Sequence, residues 1–525
     1  MLKLIAKSSP LRRACSASNG IQTGNNARFV RLWHEVSSQM VGEDWIFYNK
    51  GGEYRKWYGN NYWVVNWKDD GREIRSMPNS CIRGEENYFR QGLTWSYITS
   101  SDSSFRWFDR GALFDAAGPS VFADDITLLE ILSFLNTPAC ARIISMLNPT
   151  LNFQVGDFLK IPFESNPDTK ASKAELALKC IELARADWDS RETSINFLKS
   201  PVLACEKYQE SEASARSLSC SCLDLGRRRD LSTSLILDYE RQLSAAWGQD
   251  LDLPDQTNDA RPQFRSSLLC NDTEREVRDL LSYIIGCAMG RFSLDRDGLI
   301  IAIPSDCQAS HHAAYEEKVG KPIANVQFKP DPDAIIPVLD GEWFEDDIVA
   351  RTREFLEVTF PESTVTENLR FIEESLGKDI RKYFCSDFYK DHLQIYKKRP
   401  IYWLVQSPKK GFACLIYLHR YTKDTLNQVL NNYFRPYLQK LEARLAQLGL
   451  DQLNDDLPTR ERTAARKEAE KITKVLKECQ AWEQDALLPL AQQRIELDLD
   501  DGVKVNYLKL QDVLAPIPGL AAKED

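Results

Sequence analysis

Residues 49–60 combine the residue types that contact phosphates and bases. They read NKGGEYRKWYGN, with three glycines, three cationic side chains and three aromatic rings. Cations neutralise phosphates, glycines let a backbone come close, and aromatic rings stack on bases. A hairpin with core aromatics and solvated cations fits the same spacing. The candidate DNA contacts are Lys50, Arg55, Lys56, Trp57, Tyr58 and Asn60.

A second segment, residues 88–111, joins arginines to a run of hydroxyl side chains. It reads YFRQGLTWSYITSSDSSFRWFDRG. Hydroxyl groups donate to phosphates and read base edges, and arginine reads guanine through two hydrogen bonds. A polar surface turn explains the composition equally well. The candidate contacts are Arg90, Thr94, Ser100, Ser101, Ser103, Ser104, Arg106 and Arg110.

A third cluster lies at residues 382–423, where nine lysines and arginines stand against two aspartates. Its cations flank two strand-like apolar segments, so that basic turns would form one edge of a sheet. Such an edge can contact a DNA backbone, and solvated strand ends are the alternative. The candidate contacts are Lys397, Lys398, Lys409 and Lys410.

Motifs of catalysis are missing from the sequence. It contains no dinucleotide fingerprint, no phosphate-binding loop and no nucleophile elbow, so we assign no catalytic residue. Five carboxylates in LDGEWFEDDIV could hold a divalent cation, but acidic residues also favour a helix start, which we prefer. We therefore predict no metal site. These carboxylates are Asp340, Glu342, Glu345, Asp346 and Asp347.

Composition bounds the class of protein. The chain has 525 residues, room for three or four domains of about 150 residues each. No stretch approaches the ~18 apolar residues of a membrane span. Thirteen cysteines occur without CxxC pairs, which favours reduced thiols in the cytoplasm. The net charge of −10 is uneven, because residues 1–120 carry 16 cations against 12 acids.

Periodicity predicts a mixed α/β, multidomain fold. NNYWVVNWKDDGREI is typical of strand, turn and strand, and residues 125–147 of a helix broken near Pro138. Apolar residues recurring after residue 421 indicate two antiparallel helices. The predicted segments are a hinge or linker over 1–26 (a transit peptide is the alternative), a target-recognition α/β module over 27–165, a helical connector over 166–265, a second mixed module over 266–420, and a helical hairpin with a tail over 421–525.

Long stretches of the chain resemble one family, the PglX-type adenine-specific DNA methyltransferases of bacterial BREX phage-exclusion systems. The region after the family's catalytic domain is similar to GIQTGNNARFVRLWHEV, NKGGEYRKWYGNNYWVVNW, YFRQGLTWSYITSSDSSFRWFDRGALFDAAGPSVF and LNPTLNFQVGDFLKIPF. The family's C-terminal part is similar to AIIPVLDGEWFEDDIVAR, SLGKDIRKYFCSDFYKDHLQIYKKRPIYWL, SPKKGFACLIYLHRY and DLDDGVKVNYLKLQDVLAPIPGLAAKED. The resemblance runs from about Gly20 to the end.

The resemblance implies an N-terminal Rossmann-like domain, then target recognition, then a helical region. Family enzymes transfer a methyl group from S-adenosylmethionine to adenine N6, using a cofactor loop and an Asn-Pro-Pro-aromatic motif. This chain has neither, since Asn148-Pro149 continues with Thr-Leu and Asn166-Pro167 with Asp-Thr. We therefore expect the specificity half of such an enzyme, from a split or truncated gene, without S-adenosylmethionine bound to this chain.

The partners that follow are double-stranded DNA, a separate methyltransferase chain and other BREX proteins, with no membrane. Two alternatives stay open. The chain could be an interaction scaffold that docks other phage-defence proteins, or a metal-dependent hydrolase that uses the carboxylates of residues 340–347.

Overall fold

The computed structural model describes residues 9–98, 103–148, 150–204, 217–251, 265–302 and 311–520. These residues form two compact units. Unit 1 comprises the described residues within Met1–Trp33, Ser38–Phe197 and Leu223–Asp272. Unit 2 comprises those within His34–Ser37, Leu198–Cys222 and Thr273–Asp525. The predicted connector over 166–265 has residues in both units, and the boundaries of the five predicted segments stay a prediction.

Unit 1 contains nine strands within its described residues. They form a five-stranded sheet in the order β1-β9-β6-β7-β4 and a four-stranded sheet in the order β2-β5-β3-β8. Two edge pairs, β4 with β7 and β3 with β8, are parallel. The strands are β1 Ser16–Ser18, β2 Val30–Leu32, β3 Trp45–Asn49, β4 Trp57–Tyr58, β5 Trp63–Asn66, β6 Gly92–Trp95, β7 Phe105–Phe108, β8 Leu113–Phe114 and β9 Ser120–Phe122.

Aromatic and β-branched residues produce these strands because they suit a pleated, half-buried surface. In the five-stranded sheet, Leu93 and Trp95 lie beside Trp107 and Phe105 in antiparallel register. Trp95 and Phe105 belong to one buried cluster that also takes in several helices. The unit 1 helices are α1 Asn26–Phe29, α2 Lys68–Ser76, α3 Asp125–Leu135, α4 Pro138–Leu147, α5 Val155–Phe158, α6 Pro167–Asp189 and α7 Leu218–Asp250, which belongs to unit 1 from Leu223 onward.

Two local predictions for unit 1 are wrong. The hinge predicted over 1–26 is part of the fold from Ser9 onward, because Leu11 is fully buried and β1 pairs with β9. The second strand predicted in NNYWVVNWKDDGREI is helical instead, within α2. There Asp69, Asp70 and Gly71 adopt left-handed backbone angles, which turn the chain into the helix.

Unit 2 is built on a three-stranded antiparallel sheet with the order β10-β12-β11. Its strands are β10 Ile335–Pro337, β11 Tyr402–Gln406 and β12 Ala413–Tyr417. Its helices are α8 Thr273–Ala288, α9 His311–Val319, α10 Ile348–Thr359, α11 Val365–Leu376, α12 Ile380–Tyr383, α13 Tyr389–Ile395, α14 Thr425–Gln428, α15 Arg435–Leu453, α16 Thr459–Trp482, α17 Leu488–Gln493 and α18 Gly502–Leu510.

The C-terminal helical hairpin takes its predicted form in α15 and α16. A π-helical segment, Val429–Phe434, precedes α15, and Pro436 lies in the first turn, where its missing N–H is not needed. The hairpin packs with the sheet in one buried cluster that contains Trp403, Leu441 and Ile472. The predicted mixed α/β, multidomain fold is confirmed.

Among the described residues, no single helix has the length and apolar composition to cross a membrane. In the part of the chain that the structure describes, only α3 and α4 taken together pass that test, across a bend of 79°.

Candidate nucleic-acid interface

The second half of the 49–60 loop is buried in unit 1. The Arg55 side chain is about 5% exposed, and its Nη2 atom lies 2.7 Å from the Asp187 carboxylate of α6. It also donates to the backbone oxygens of Tyr58, Ala184 and Ser267, and its guanidinium lies over the Trp188 ring. Burial lowers the pKa of Arg55. These bonds occupy the guanidinium, so the predicted phosphate contact by Arg55 is wrong for this conformation.

Lys56 and Trp57 share one buried acceptor, Glu240 of α7. The Lys56 Nζ atom lies 3.0 Å from one carboxylate oxygen, and the Trp57 Nε1 atom donates to the other at 2.8 Å. Trp57 is 1% exposed and adopts a left-handed φ of 71°. That angle costs a non-glycine residue about 1–2 kcal/mol, which the burial of the ring and this bond offset. The phosphate assignment of Lys56 and the stacking assignment of Trp57 are therefore corrected.

Tyr58 and Asn60 also serve the fold. The Tyr58 hydroxyl lies 3.3 Å from Asp109, and the Arg185 guanidinium lies 4.1 Å above the Tyr58 ring. Asn60 is buried, and its Nδ2 donates to the Glu53 backbone oxygen at 2.9 Å. In this arrangement neither Tyr58 nor Asn60 can contact a base, because each predicted contact requires an exposed side chain.

The second predicted segment contains three buried residues, Thr94 in β6, Arg106 in β7 and Ser104 just before β7. Thr94 donates to the Pro119 backbone oxygen, and Ser104 accepts the Arg55 backbone N–H. Arg106 is 1% exposed, and its Nε and Nη1 atoms have no hydrogen-bond partner. Burial, and then the charge of Arg55, lowers the pKa of Arg106 to about 10. Direct contact of these three residues with DNA is excluded in this conformation.

The other predicted residues of that segment either lie at the surface of unit 1 or fall outside the described residues. Arg90 and Arg110 are exposed, and each donates to a single neighbouring side chain, Asn87 and Gln91 respectively. Ser103 is half-buried. Ser100 and Ser101 lie outside the described residues. For the two arginines and Ser103, DNA contact stays a prediction.

The third cluster is divided, with Lys398, Lys409 and Lys410 exposed and Lys397 half-buried. Lys409 and Lys410 lie in the turn between β11 and β12, at the rim of a groove of 780 Å³ in unit 2. Lys397 and Lys398 follow α13 and do not line that groove. The structure therefore brings one of the two predicted lysine pairs to a concave surface.

A polar groove of 680 Å³ in unit 1 contains the remaining predicted contact of the 49–60 loop. Lys50 lines it, paired with Asp115 at 2.8 Å. The next two residues are glycines with φ of 75° and 151°, and both backbone groups of Gly52 bond to the Ser96 hydroxyl. A side chain at Gly51 would meet the Ala117 backbone oxygen at 2.9 Å. The two glycines thus fix the backbone position next to Lys50.

Most residues of this groove were missed from the sequence. The Asn25 Oδ1 accepts from the Arg28 backbone N–H, and the Asn26 Oδ1 accepts from the Thr23 hydroxyl. The amide groups of both residues are thereby left as hydrogen-bond donors. The motif GIQTGNN, noted only for its resemblance, was the available signal. The missed lining residues are Asn19, Gln22, Thr23, Asn25, Asn26, Asn79, Arg83 and Tyr97.

The acidic stretch 340–347 leads into the start of a helix, which is the role that we preferred from the sequence. Asp347 accepts the backbone N–H groups of Val349 and Ala350 at the beginning of α10, and pairs with Arg381 at 2.7 Å. Asp340 pairs with Lys471 instead. Within the described part of the chain, no three His, Cys, Asp or Glu residues are grouped to hold a metal.

No protein-family model matches the chain. Two curated proteins do. The adenine-specific methyltransferase BrxX of Escherichia coli O9:H4 (strain HS) is 33% identical over 96% of this chain and 43% of its own length. The adenine-specific methyltransferase PglX of Lacticaseibacillus casei (strain Zhang) is 34% identical over 97% of this chain and 43% of its own length.

Both matched proteins are adenine-specific methyltransferases. More particularly, the chain is related to the PglX-type members over nearly all of its own length, which confirms the resemblance. The chain spans a little under half the length of the two relatives.

Proposed function

We propose that unit 1 binds double-stranded DNA in the polar groove, as target-recognition part of a site-specific adenine-N6 DNA methyltransferase in bacterial phage defence. One observation carries this proposal. The groove concentrates amide side chains, two cations and a tyrosine in a chain related to adenine-specific methyltransferases. Amide side chains pair with adenine edges, and cations contact guanine edges or phosphates.

The two cations of the groove differ in exposure and in whether they already form an ion pair. Lys50 is 21% exposed and already faces Asp115, whereas Arg83 is exposed and its side chain has no partner among the described residues. Arg83 is therefore the stronger phosphate contact, since the charge of Lys50 is already paired with Asp115. Asn25 and Asn26 offer donors, which match the N7 atoms of purines and phosphate oxygens.

Methyl transfer itself belongs, in this proposal, to a part of the relatives that this chain does not match. The relatives extend well beyond the matched 43%. We assign no residue of this chain to S-adenosylmethionine and no catalytic residue. A separate methyltransferase chain would supply the cofactor and the reacting groups, with BREX proteins as further partners.

The test is duplex binding over a range of salt concentrations, with mixed bacterial duplexes because the target is unknown. Each phosphate contact contributes about 0.9 to the slope of log affinity against log salt. Arg83→Ala should lower affinity several-fold and reduce that slope by roughly one. The matched control is Arg72→Ala, an exposed arginine of unit 1 outside the groove.

Asn25→Asp supplies the second arm of the test. A carboxylate that replaces a donor should alter the preferred sequence as well as the affinity. Affinity that does not respond to salt, or that Arg83→Ala and Arg72→Ala change equally, would refute the groove as a DNA site.

The second candidate function is an interaction scaffold, and the unit 2 groove favours it. Three lysines at this groove, Lys382, Lys409 and Lys410, make no ion pair among the described residues. Apolar residues such as Leu404 and Ile472 line the same groove, and a DNA backbone does not need them. If this candidate is right, capture of a defence protein should survive DNase treatment, and the charge reversals Lys409→Glu and Lys410→Glu should abolish it.

A further inference from the structure

Helix α16 of unit 2 has one buried side and one strongly basic side. Ala465, Ile472, Leu476, Cys479 and Trp482 belong to the buried cluster that packs α16 with α15 and the sheet. With about 3.6 residues per turn, the side of the helix away from this cluster carries six exposed cations. These cations, called the basic ridge, are Arg460, Arg466, Lys467, Lys471, Lys474 and Lys477.

Most charges of the basic ridge are not neutralised by neighbouring acids. Lys471 lies 2.7 Å from Asp340, and Arg466 lies 3.9 Å from Glu470. Both pairs are exposed to solvent, where an ion pair contributes only about 0–1 kcal/mol. The cations that make no ion pair among the described residues are Arg460, Lys467, Lys474 and Lys477.

Two acids of α16 are bound to other elements instead. Glu468 pairs with Arg444 of α15, and Glu478 accepts from the Ser407 hydroxyl beside the turn between β11 and β12. The basic ridge therefore keeps a surplus of positive charge on a chain whose net charge is −10. Such a surplus on one surface attracts a polyanion.

The composition of α16 favours a phosphate backbone over a protein or a membrane. Throughout this helix, whose residues are all described, no large apolar side chain is exposed. The core of a protein interface is rich in aromatic residues, and a helix that lies on a membrane inserts an apolar face. From Arg460 to Lys477 the basic ridge extends about 26 Å, the length of roughly seven base pairs of a duplex.

We propose that the basic ridge binds the phosphate backbone of duplex DNA without reading its sequence, so that unit 2 provides a DNA contact of its own. Lysine and arginine contacts to phosphates position a protein on a duplex but carry no sequence information. The inference rests on the proposed function for its ligand and extends DNA binding from the polar groove of unit 1 to unit 2.

The double variant Lys467→Gln/Lys474→Gln tests the basic ridge, because both lysines are exposed and neither lines the unit 2 groove. Glutamine has nearly the helix propensity of lysine, so thermal unfolding should match that of wild type. Affinity for mixed duplexes should fall about tenfold, equally for every sequence, and the slope against log salt should fall by roughly two. The matched control is Lys329→Gln/Lys504→Gln, which removes two exposed lysines of unit 2 outside α16 and should change neither quantity.

Equal losses in the two double variants, or a salt slope that Lys467→Gln/Lys474→Gln leaves unchanged, would overturn the inference. Polyglutamate at matched charge concentration should displace the duplex poorly, and displacement as effective as by unlabelled duplex would assign the basic ridge to acidic proteins instead. If Arg83→Ala weakens binding and the ridge variant does not, only the ridge is refuted. The reverse result refutes only the groove, and no duplex binding by the wild-type chain refutes both.

Discussion

At the scale of single residues, Glu240 explains why the aromatic and cationic residues at positions 56 and 57 are buried. Glu240→Gln would keep an acceptor for Trp57 but leave the Lys56 charge uncompensated. Loss of one partner of a buried pair costs about 3–5 kcal/mol, so the free energy of unfolding should fall by that order. Chemical denaturation monitored by circular dichroism measures it.

Two further variants separate charge from packing. Glu175→Gln removes an exposed carboxylate paired with Lys179 on α6 and should change unfolding far less. Adding Lys56→Met to Glu240→Gln should recover most of the loss, because the buried charge is removed. Equal destabilisation by Glu175→Gln and Glu240→Gln would contradict the assignment of Glu240.

The sequence revealed which residue types matter at the site but not which of them are exposed. Arg55 and Lys56 looked like phosphate contacts because their partners, Asp187 and Glu240, lie 132 and 184 positions away. No local pattern encodes such a pairing. Lys50 is partly exposed, and the two glycines that follow it set the backbone geometry at its position. The asparagines of the groove gave little signal, since isolated amides are common in turns.

At the scale of elements, the start of β10 depends on one carboxyl group. The Asp331 Oδ1 accepts the backbone N–H groups of Asp333, Ala334 and Ile335. Burial, and then the charge of Asp333, raises the pKa of Asp331 to about 7. The folded state then holds a proton that the unfolded state releases near pH 4.

The pH dependence follows from that difference. Between about pH 4 and 7 the folded state binds more protons than the unfolded state, so the stabilisation is complete at low pH and is lost as pH rises through 7. Asp331→Asn keeps an acceptor and removes the proton. Its stability relative to wild type should therefore increase from pH 5 to pH 8 in thermal unfolding. Parallel curves for the two proteins would contradict this account.

Elements with strong periodicity were predictable, and those fixed by backbone geometry were not. The break at Pro138 and the α15–α16 hairpin follow from proline and from recurring apolar residues. The strand expected after the Asp-Asp-Gly turn failed because three left-handed residues redirect the chain into α2. Strand β4 has only two residues, and its parallel pairing with β7 has no counterpart in local sequence.

At the scale of the whole molecule, the chain should need a partner for chemistry. Incubated alone with S-adenosylmethionine and duplex DNA, it should yield no N6-methyladenine and no heat of cofactor binding in calorimetry. Addition of a protein that contains the unmatched part of a relative should produce methylation. Methylated adenine formed by the chain alone would contradict the division of labour proposed for it.

The separation of 184 positions between Lys56 and Glu240 also sets a delay during translation. A ribosome adds about 5–20 residues per second, so roughly 10–40 s separate the synthesis of the lysine from that of its carboxylate. Throughout that interval the nascent loop carries a cation and a tryptophan with no place to be buried. The 49–60 loop must therefore reach its final form late, after α7 has left the ribosome.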